Sequence, residues 1–261
     1  MGRHKKNNSE ACCYHLTHRC QERRFLLRFQ QDRDNYQKRL YEASRLYEIS
    51  VLNYIVTSNH VHILVYSTHA KHISDFMHYL QGNTARDYNR RKKREGAFWR
   101  GRYYPTMIQS GDHLSMCLFY IDMNMVRAGE CKHPGEWQNT GYHELIESRQ
   151  RYLIIDKERL LNCLCHSGNY NLFKKWYEAT INESLLSYAR HREAIWTESL
   201  AVGDYEWIEN LKNISGISSL KISSHDSNLR QINESQAIYG LTGSSRHKEL
   251  FWKKQQKKLK S

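Results

Sequence analysis

Proline is nearly missing from this chain, with two among 261 residues. Together with a 39% hydrophobic and 12% aromatic content, that excludes a disordered or low-complexity chain and leaves material for a core. Long apolar runs are also absent. None approaches the roughly 18 residues of a membrane span, and Met-Gly-Arg-His-Lys-Lys at the start lacks the apolar core of a signal peptide. The expectation is an intracellular, cytoplasmic and nucleoid-associated protein with no membrane partner. Cysteine is present but never as Cys-x-x-Cys, and the count of seven is odd. Cys12, Cys13 and Cys20 lie near His15 and His18, yet the paired knuckles of structural zinc sites are lacking, so reduced cytosolic thiols fit better. Acidic residues are scarce: 27 Asp and Glu face 40 Lys and Arg, a formal net charge of +13. A folded chain this basic suits a polyanion, nucleic acid first.

What is there centres on Asn59-His60-Val61-His62-Ile63-Leu64-Val65. This run and the preceding residues 49–56 are rich in β-branched and aromatic residues, with Thr57, Ser58 and Asn59 as turn formers between them. Side chains at i and i+2 of a strand share a face, so His60 and His62 project together and make half of a metal site. By themselves they fit equally a core histidine and a surface one.

In chain order, residues 1–10 form a basic arm and 12–18 a first strand. A helix is predicted over 31–47, with Tyr36, Leu40, Tyr41 and Tyr47 at helical spacing. The two strands already described follow. A second helix begins after Thr68 with Ile73, Phe76, Met77, Leu80 and Thr84 as its apolar stripe. Residues 103–108 read as a strand, Pro105 marking an edge or a bulge. A third helix is predicted from about His113 to Ala128, with Asp112 as N-cap and Gly129 just past its end. This order predicts an α+β fold, a ferredoxin-like antiparallel sheet with helices on one face. It occupies 11–149. A mostly helical extension over 150–261 ends in a basic tail at 253–260.

Between residues 86 and 102, Arg86, Arg90, Arg100 and Arg102 are interleaved with Phe98, Trp99 and Tyr103. Arginines suit phosphates and aromatic faces suit unpaired bases. The alternative is a solvated helix end followed by aromatics that enter the core. In the third helix, Tyr120 and Asn124 are an i, i+4 pair on the border of the apolar stripe, a potential nucleophile beside a potential oxygen ligand.

Four segments in this order resemble the single-tyrosine HUH transposases of the Y1 superfamily, and among them the REP-associated tyrosine transposases. They are Tyr14-His-Leu-Thr-His-Arg19, Ser58-Asn-His-Val-His-Ile63, Phe98-Trp-Arg-Gly-Arg-Tyr103 and Tyr120-Ile-Asp-Met-Asn-Met-Val-Arg-Ala-Gly129. Gly135-Glu-Trp-Gln-Asn-Thr-Gly-Tyr142 continues the likeness, which spans about 12–146. Ser199-Leu-Ala-Val-Gly-Asp204 and Leu241-Thr-Gly243 extend it more weakly. Thr57-Ser58 stands where Met-Pro is usual. Met125 replaces the family's proline, which should let the helix run further.

The resemblance implies Tyr120 as catalytic nucleophile and His60, His62 and Asn124 as ligands of one Mg2+ or Mn2+ ion. Two imidazoles alone would suggest zinc or a later transition metal. It further implies cleavage and rejoining of single-stranded, hairpin-bearing DNA through a 5′-phosphotyrosine, with Arg86, Arg90, Trp99, Arg100 and Arg102 contacting the DNA. A rolling-circle replication initiator or relaxase is the nearest rival, and a non-catalytic nucleic-acid-binding module the rival of another class. Monomer and homodimer are equally open.

Overall fold

A computed structural model describes residues 11–147, 152–165, 169–187 and 193–215. The basic arm at 1–10, Leu241-Thr-Gly243 and the basic tail at 253–260 lie outside these described residues. The sheet runs β2-β3-β1-β4-β5, built from β1 (Cys12–Arg19), β2 (Ser50–Val56), β3 (His60–Ser67), β4 (Tyr104–Ile108) and β5 (Ala201–Val202). The first four pair antiparallel, as the strand order predicts. The fifth is parallel to β4, pairing Met107 with Ala201 and Ile108 with Val202. Pro105 lies beyond the reach of β5, where β4 has a neighbour on one side only, so its missing N–H is tolerated.

Strand alternation sorts the two faces. Val61, Ile63 and Val65 of β3 are fully buried on the side covered by α1 (Gln30–Leu46) and α2 (Ala70–Lys92), which pack on each other. The stripe of Ile73, Phe76, Met77, Leu80 and Thr84 is the buried face of α2. Each of its large apolar members contributes about 1.5–3 kcal/mol by leaving water. On α1, Tyr36 and Leu40 enter the core with Ala43, whereas Tyr47 already has extended backbone and ends the helix.

The other face carries His60, His62 and Leu64, and it too is covered. Over it lies α3 (Asp112–Asp122), which begins after Gly111 rather than being capped by Asp112, and stops at Met123. A four-residue α4 (Asn124–Arg127) follows. The uninterrupted helix expected without the family's proline therefore does not form. Met123 has φ −74° and ψ 1°, a dihedral pair that ends the helix without any proline. Gly129, at φ +76°, sits past the end of α4 as expected, and the Glu130 N–H returns to the Met125 carbonyl at 3.0 Å.

After α5 (Tyr142–Ile146), the C-terminal part adds α6 (Lys157–Cys163), α7 (Tyr170–Ser187), α8 (Ile195–Glu198) and α9 (Tyr205–Ser215). It is mostly helical, but it also supplies β5, and Ile155 bridges Val51. Its residues join the same core: Tyr177 stacks on Phe119 with ring centres 4.9 Å apart, and its hydroxyl donates to buried Asp122 at 2.5 Å. Asp122 also accepts from Asn53 at 3.0 Å and Thr140 at 3.2 Å, so the end of α3 is tied to β2. No described helix is long and apolar enough to cross a membrane.

Candidate active site

The register of β1 on β3 sets the site. Thr17 lies opposite His62 and Arg19 opposite His60, which puts His15, two residues before Thr17, on the face of His62. His15 Nδ1 lies 2.8 Å from the carbonyl oxygen of Trp196, and its Nε2 lies 2.8 Å from His62 Nδ1. A carbonyl only accepts, so His15 carries its proton on Nδ1 and offers a lone pair at Nε2. His62 must then donate from its own Nδ1, which leaves the lone pair of His62 on Nε2. That nitrogen faces the Asn124 amide at 3.1 Å.

His60 obeys the same logic. Its Nδ1 is 2.7 Å from Asn59 Oδ1 and 2.9 Å from Thr57 Oγ1. Because the amide oxygen can only accept, Nδ1 carries the proton and the lone pair again falls on Nε2. The two rings stand 5.0 Å apart and nearly perpendicular, at 82°. Burial, and then the neighbouring His15 and His60, hold His62 well below the ordinary imidazole pKa; burial brings His15 down to about 4. A neutral imidazole with an outward Nε2 lone pair and its other nitrogen fixed by a second partner, as His62 has, is what a metal ligand requires.

Asn124 opens α4, directly after the helix break, and points at His62 with Nδ2. A half-turn of the amide would present Oδ1 at the same place. The donor set then available, two imidazole nitrogens and one amide oxygen, fits a divalent cation with positions left for water and phosphate oxygen. Among the described residues no group of three or more His, Cys, Asp or Glu could hold a metal ion.

Tyr120 completes the cluster. Its ring centre is 5.8 Å from His62, 6.0 Å from His15 and 6.0 Å from Trp196. The Arg127 guanidinium lies 3.7 Å from the centre of the tyrosine ring, and its Nη2 donates to the Tyr120 carbonyl at 3.0 Å. The break between α3 and α4 makes room for this return of Arg127 onto the previous turn. Nη1 of Arg127 is buried without a hydrogen-bond partner. Trp196 and Tyr120 are 1% and 5% exposed, so α8 roofs the tyrosine.

The four residues expected at the centre, His60, His62, Tyr120 and Asn124, are thus adjacent. His15, Arg127 and Trp196 belong with them and were not anticipated. The first two lie inside quoted motifs, and the strand alternation of Tyr14-His-Leu-Thr-His18 was a usable signal for His15. Arg86, Arg90, Arg100 and Arg102 are exposed, and the Arg100 N–H bonds to the Arg19 carbonyl at 2.8 Å, at the His60 end of the sheet. Trp99 departs from its expected role. It is 8% exposed, stacked on His18 at 4.3 Å, and its indole N–H bonds to the Gln81 carbonyl at 3.1 Å. Its faces are used inside the protein, as are those of Phe98, 2% exposed.

The α+β sheet thus carries a paired-histidine strand opposite a tyrosine helix. Residues 8–124 match the family described as transposase, IS200-like, and this part of the chain is similar to that family. No curated protein matches the sequence. Two solved structures are similar. A REP-associated tyrosine transposase bound to a REP hairpin shares 15% identity at a TM-score of 0.48, covering 59% of this chain and 90% of its own. A transposase-like protein from Deinococcus radiodurans R1 shares 18% identity at a TM-score of 0.34, covering 50% of this chain and 96% of its own.

Proposed function

We propose that this chain is a metal-dependent transposase or repeat-directed nuclease that cuts and rejoins single-stranded, hairpin-forming DNA through a 5′-phosphotyrosine. The observation that carries the reading is the run of contacts from the Trp196 carbonyl through His15 to His62, which leaves the His62 Nε2 lone pair beside Asn124 and Tyr120. His60 and His62, through Nε2, and Asn124, through Oδ1, would hold one Mg2+ or Mn2+ ion. When bound, such an ion polarises the scissile phosphate and offsets its developing charge.

Everything else is the work of the chain. The Tyr120 hydroxyl oxygen attacks phosphorus, the P–O3′ bond breaks, and the strand leaves with a 3′ hydroxyl. A second 3′ hydroxyl reverses the step on the phosphotyrosine, so bond energy is conserved and no nucleotide is consumed. A phenol with an ordinary pKa of about 10 needs help at neutral pH. The Arg127 guanidinium, stacked on the ring and bonded to the Tyr120 carbonyl, would hold the phenol in position for that step. Arg86, Arg90, Arg100 and Arg102 supply salt-dependent phosphate contacts.

The burial of Tyr120 under Trp196 favours one rival, a module that binds nucleic acid without cutting it. One assay separates them. With Mn2+ and a labelled hairpin oligonucleotide, cleavage and a covalent adduct on denaturing gels are expected, both lost in Tyr120→Phe with binding retained. Unchanged cleavage in that variant would overturn the assignment, and binding without any adduct would favour the module. Nicking of a plasmid replication origin in preference to hairpin DNA would favour an initiator or relaxase.

A further inference from the structure

Two phenylalanine rings stand in water next to the site. Phe25 is 65% and Phe29 58% exposed, whereas the other four described phenylalanines, Phe76, Phe98, Phe119 and Phe173, are 2% exposed or less. Single apolar residues at a surface need no explanation. These two lie on one short loop and are ringed by cations. The Lys92 ammonium is 5.0 Å and the Arg28 guanidinium 6.0 Å from the centre of the Phe29 ring, and Arg23 and Arg24 are exposed beside Phe25. The acids close by are exposed Glu22 and buried Asp32, the latter paired with Arg91.

The loop is fixed to the histidine strand. Cys20 N–H bonds to the Asn59 carbonyl at 2.8 Å, Leu27 N–H to the Ser58 carbonyl at 2.9 Å, and Asn59 Nδ2 to the Arg23 carbonyl at 3.1 Å. Leu26 and Leu27, between the two rings, are 8% and 1% exposed and anchor it from beneath. The rings are therefore presented on a held scaffold whose attachment points immediately precede His60. Aromatic faces among cations fit unpaired nucleobases joined by phosphates; bases inside a duplex have no free face to offer. Trp99, the ring that sequence alone suggested for stacking, is turned inward, while Phe25 and Phe29 are not.

We propose that Phe25 and Phe29 form a base-stacking platform for unpaired nucleotides of single-stranded DNA, with Arg28 and Lys92 on the phosphates, at the His60 end of the sheet. This rests on the DNA reading above and adds to it a binding site for the unpaired part of the substrate.

The test is equilibrium binding to the full chain, by fluorescence anisotropy, of three probes: an oligothymidylate of about 15 nucleotides, an abasic strand of equal length, and a blunt duplex. The oligothymidylate should bind at least about five-fold more tightly than the abasic strand. In Phe25→Leu/Phe29→Leu, which keeps apolar bulk and removes the π faces, that ratio should fall to near one with the salt dependence unchanged. Both positions are exposed, and an unaltered melting curve would confirm that the variant folds. An unchanged ratio in the variant, base-blind binding by the parent protein, or duplex binding as tight as single-strand binding would each overturn the platform. Salt-dependent but base-blind binding leaves the DNA reading standing; no binding of any probe would overturn both.

Discussion

Arg127 holds Tyr120 twice, by its ring at 3.7 Å and by its own backbone carbonyl at 3.0 Å. One planar cation thereby fixes where the phenol points and what charge it feels. Lysine offers a point charge without the fork, so Arg127→Lys cannot hold both contacts. A misplacement of about 1 Å at a reacting group can cost on the order of 100-fold in rate. We expect single-turnover cleavage of a hairpin oligonucleotide to fall by that order in Arg127→Lys, with its dissociation constant changed less than about three-fold.

His15 is not itself an expected ligand, yet through its contact with His62 Nδ1 it decides which nitrogen of His62 bears the proton. Replacing a partner of this kind typically lowers metal affinity about 10–100-fold. In His15→Gln, calorimetric titration of Mn2+ into the protein alone should show a weakening of that order. Cleavage at saturating Mn2+ should recover substantially.

The pair of His15 and His62 also shows how far the sequence could be read. Two histidines on one strand face, and a tyrosine four residues before an asparagine, follow from local periodicity, which needs no knowledge of the rest of the chain. That His15 meets His62 depends on the register between two strands, and no local pattern states it. The two-residue β5 was too short to register as a strand. The arginines around Trp99 suggest an outward ring, but the space beside His18 and Tyr36 admits a large one. The break at Met123 carried no signal, because the chain ends α3 there with ordinary dihedral angles and no proline.

His18 provides a pH signature of the fold. It is 3% exposed, its Nε2 donates to the Gly101 carbonyl at 3.1 Å, and burial lowers its pKa from 6.5 to about 4. The unfolded chain therefore binds more protons between these values, and stability rises with pH across that window. The contribution is fully present above 6.5 and lost as pH falls towards 4, about 3 kcal/mol in all. His15 titrates in the same direction. Urea melts of His18→Phe should show a shallower loss of stability between pH 6.5 and 4 than the parent protein, without abolishing it.

Gly141 lets the segment after β4 and α3 close onto β2. A Cβ there would lie 2.2 Å from Asn53 Oδ1 and 2.8 Å from Ile155 Cδ1. Asn53 cannot simply yield, because it donates to Asp122 at the end of α3. Gly141→Ala should cost about 1–3 kcal/mol, seen as a melting temperature lower by roughly 2–4 °C per kcal/mol.

The Trp196 carbonyl that sets the proton on His15 comes from 181 residues further along the chain. A fragment ending near residue 150 would keep both histidines, the tyrosine and the asparagine, yet lose the group that chooses among their tautomers. Its imidazoles would be free to trade protons, and His62 could turn a hydrogen where a lone pair belongs. Helix α8 thus acts as a distant spelling rule for the first strands, and a piece that carries every motif residue lacks the carbonyl that sets their tautomers.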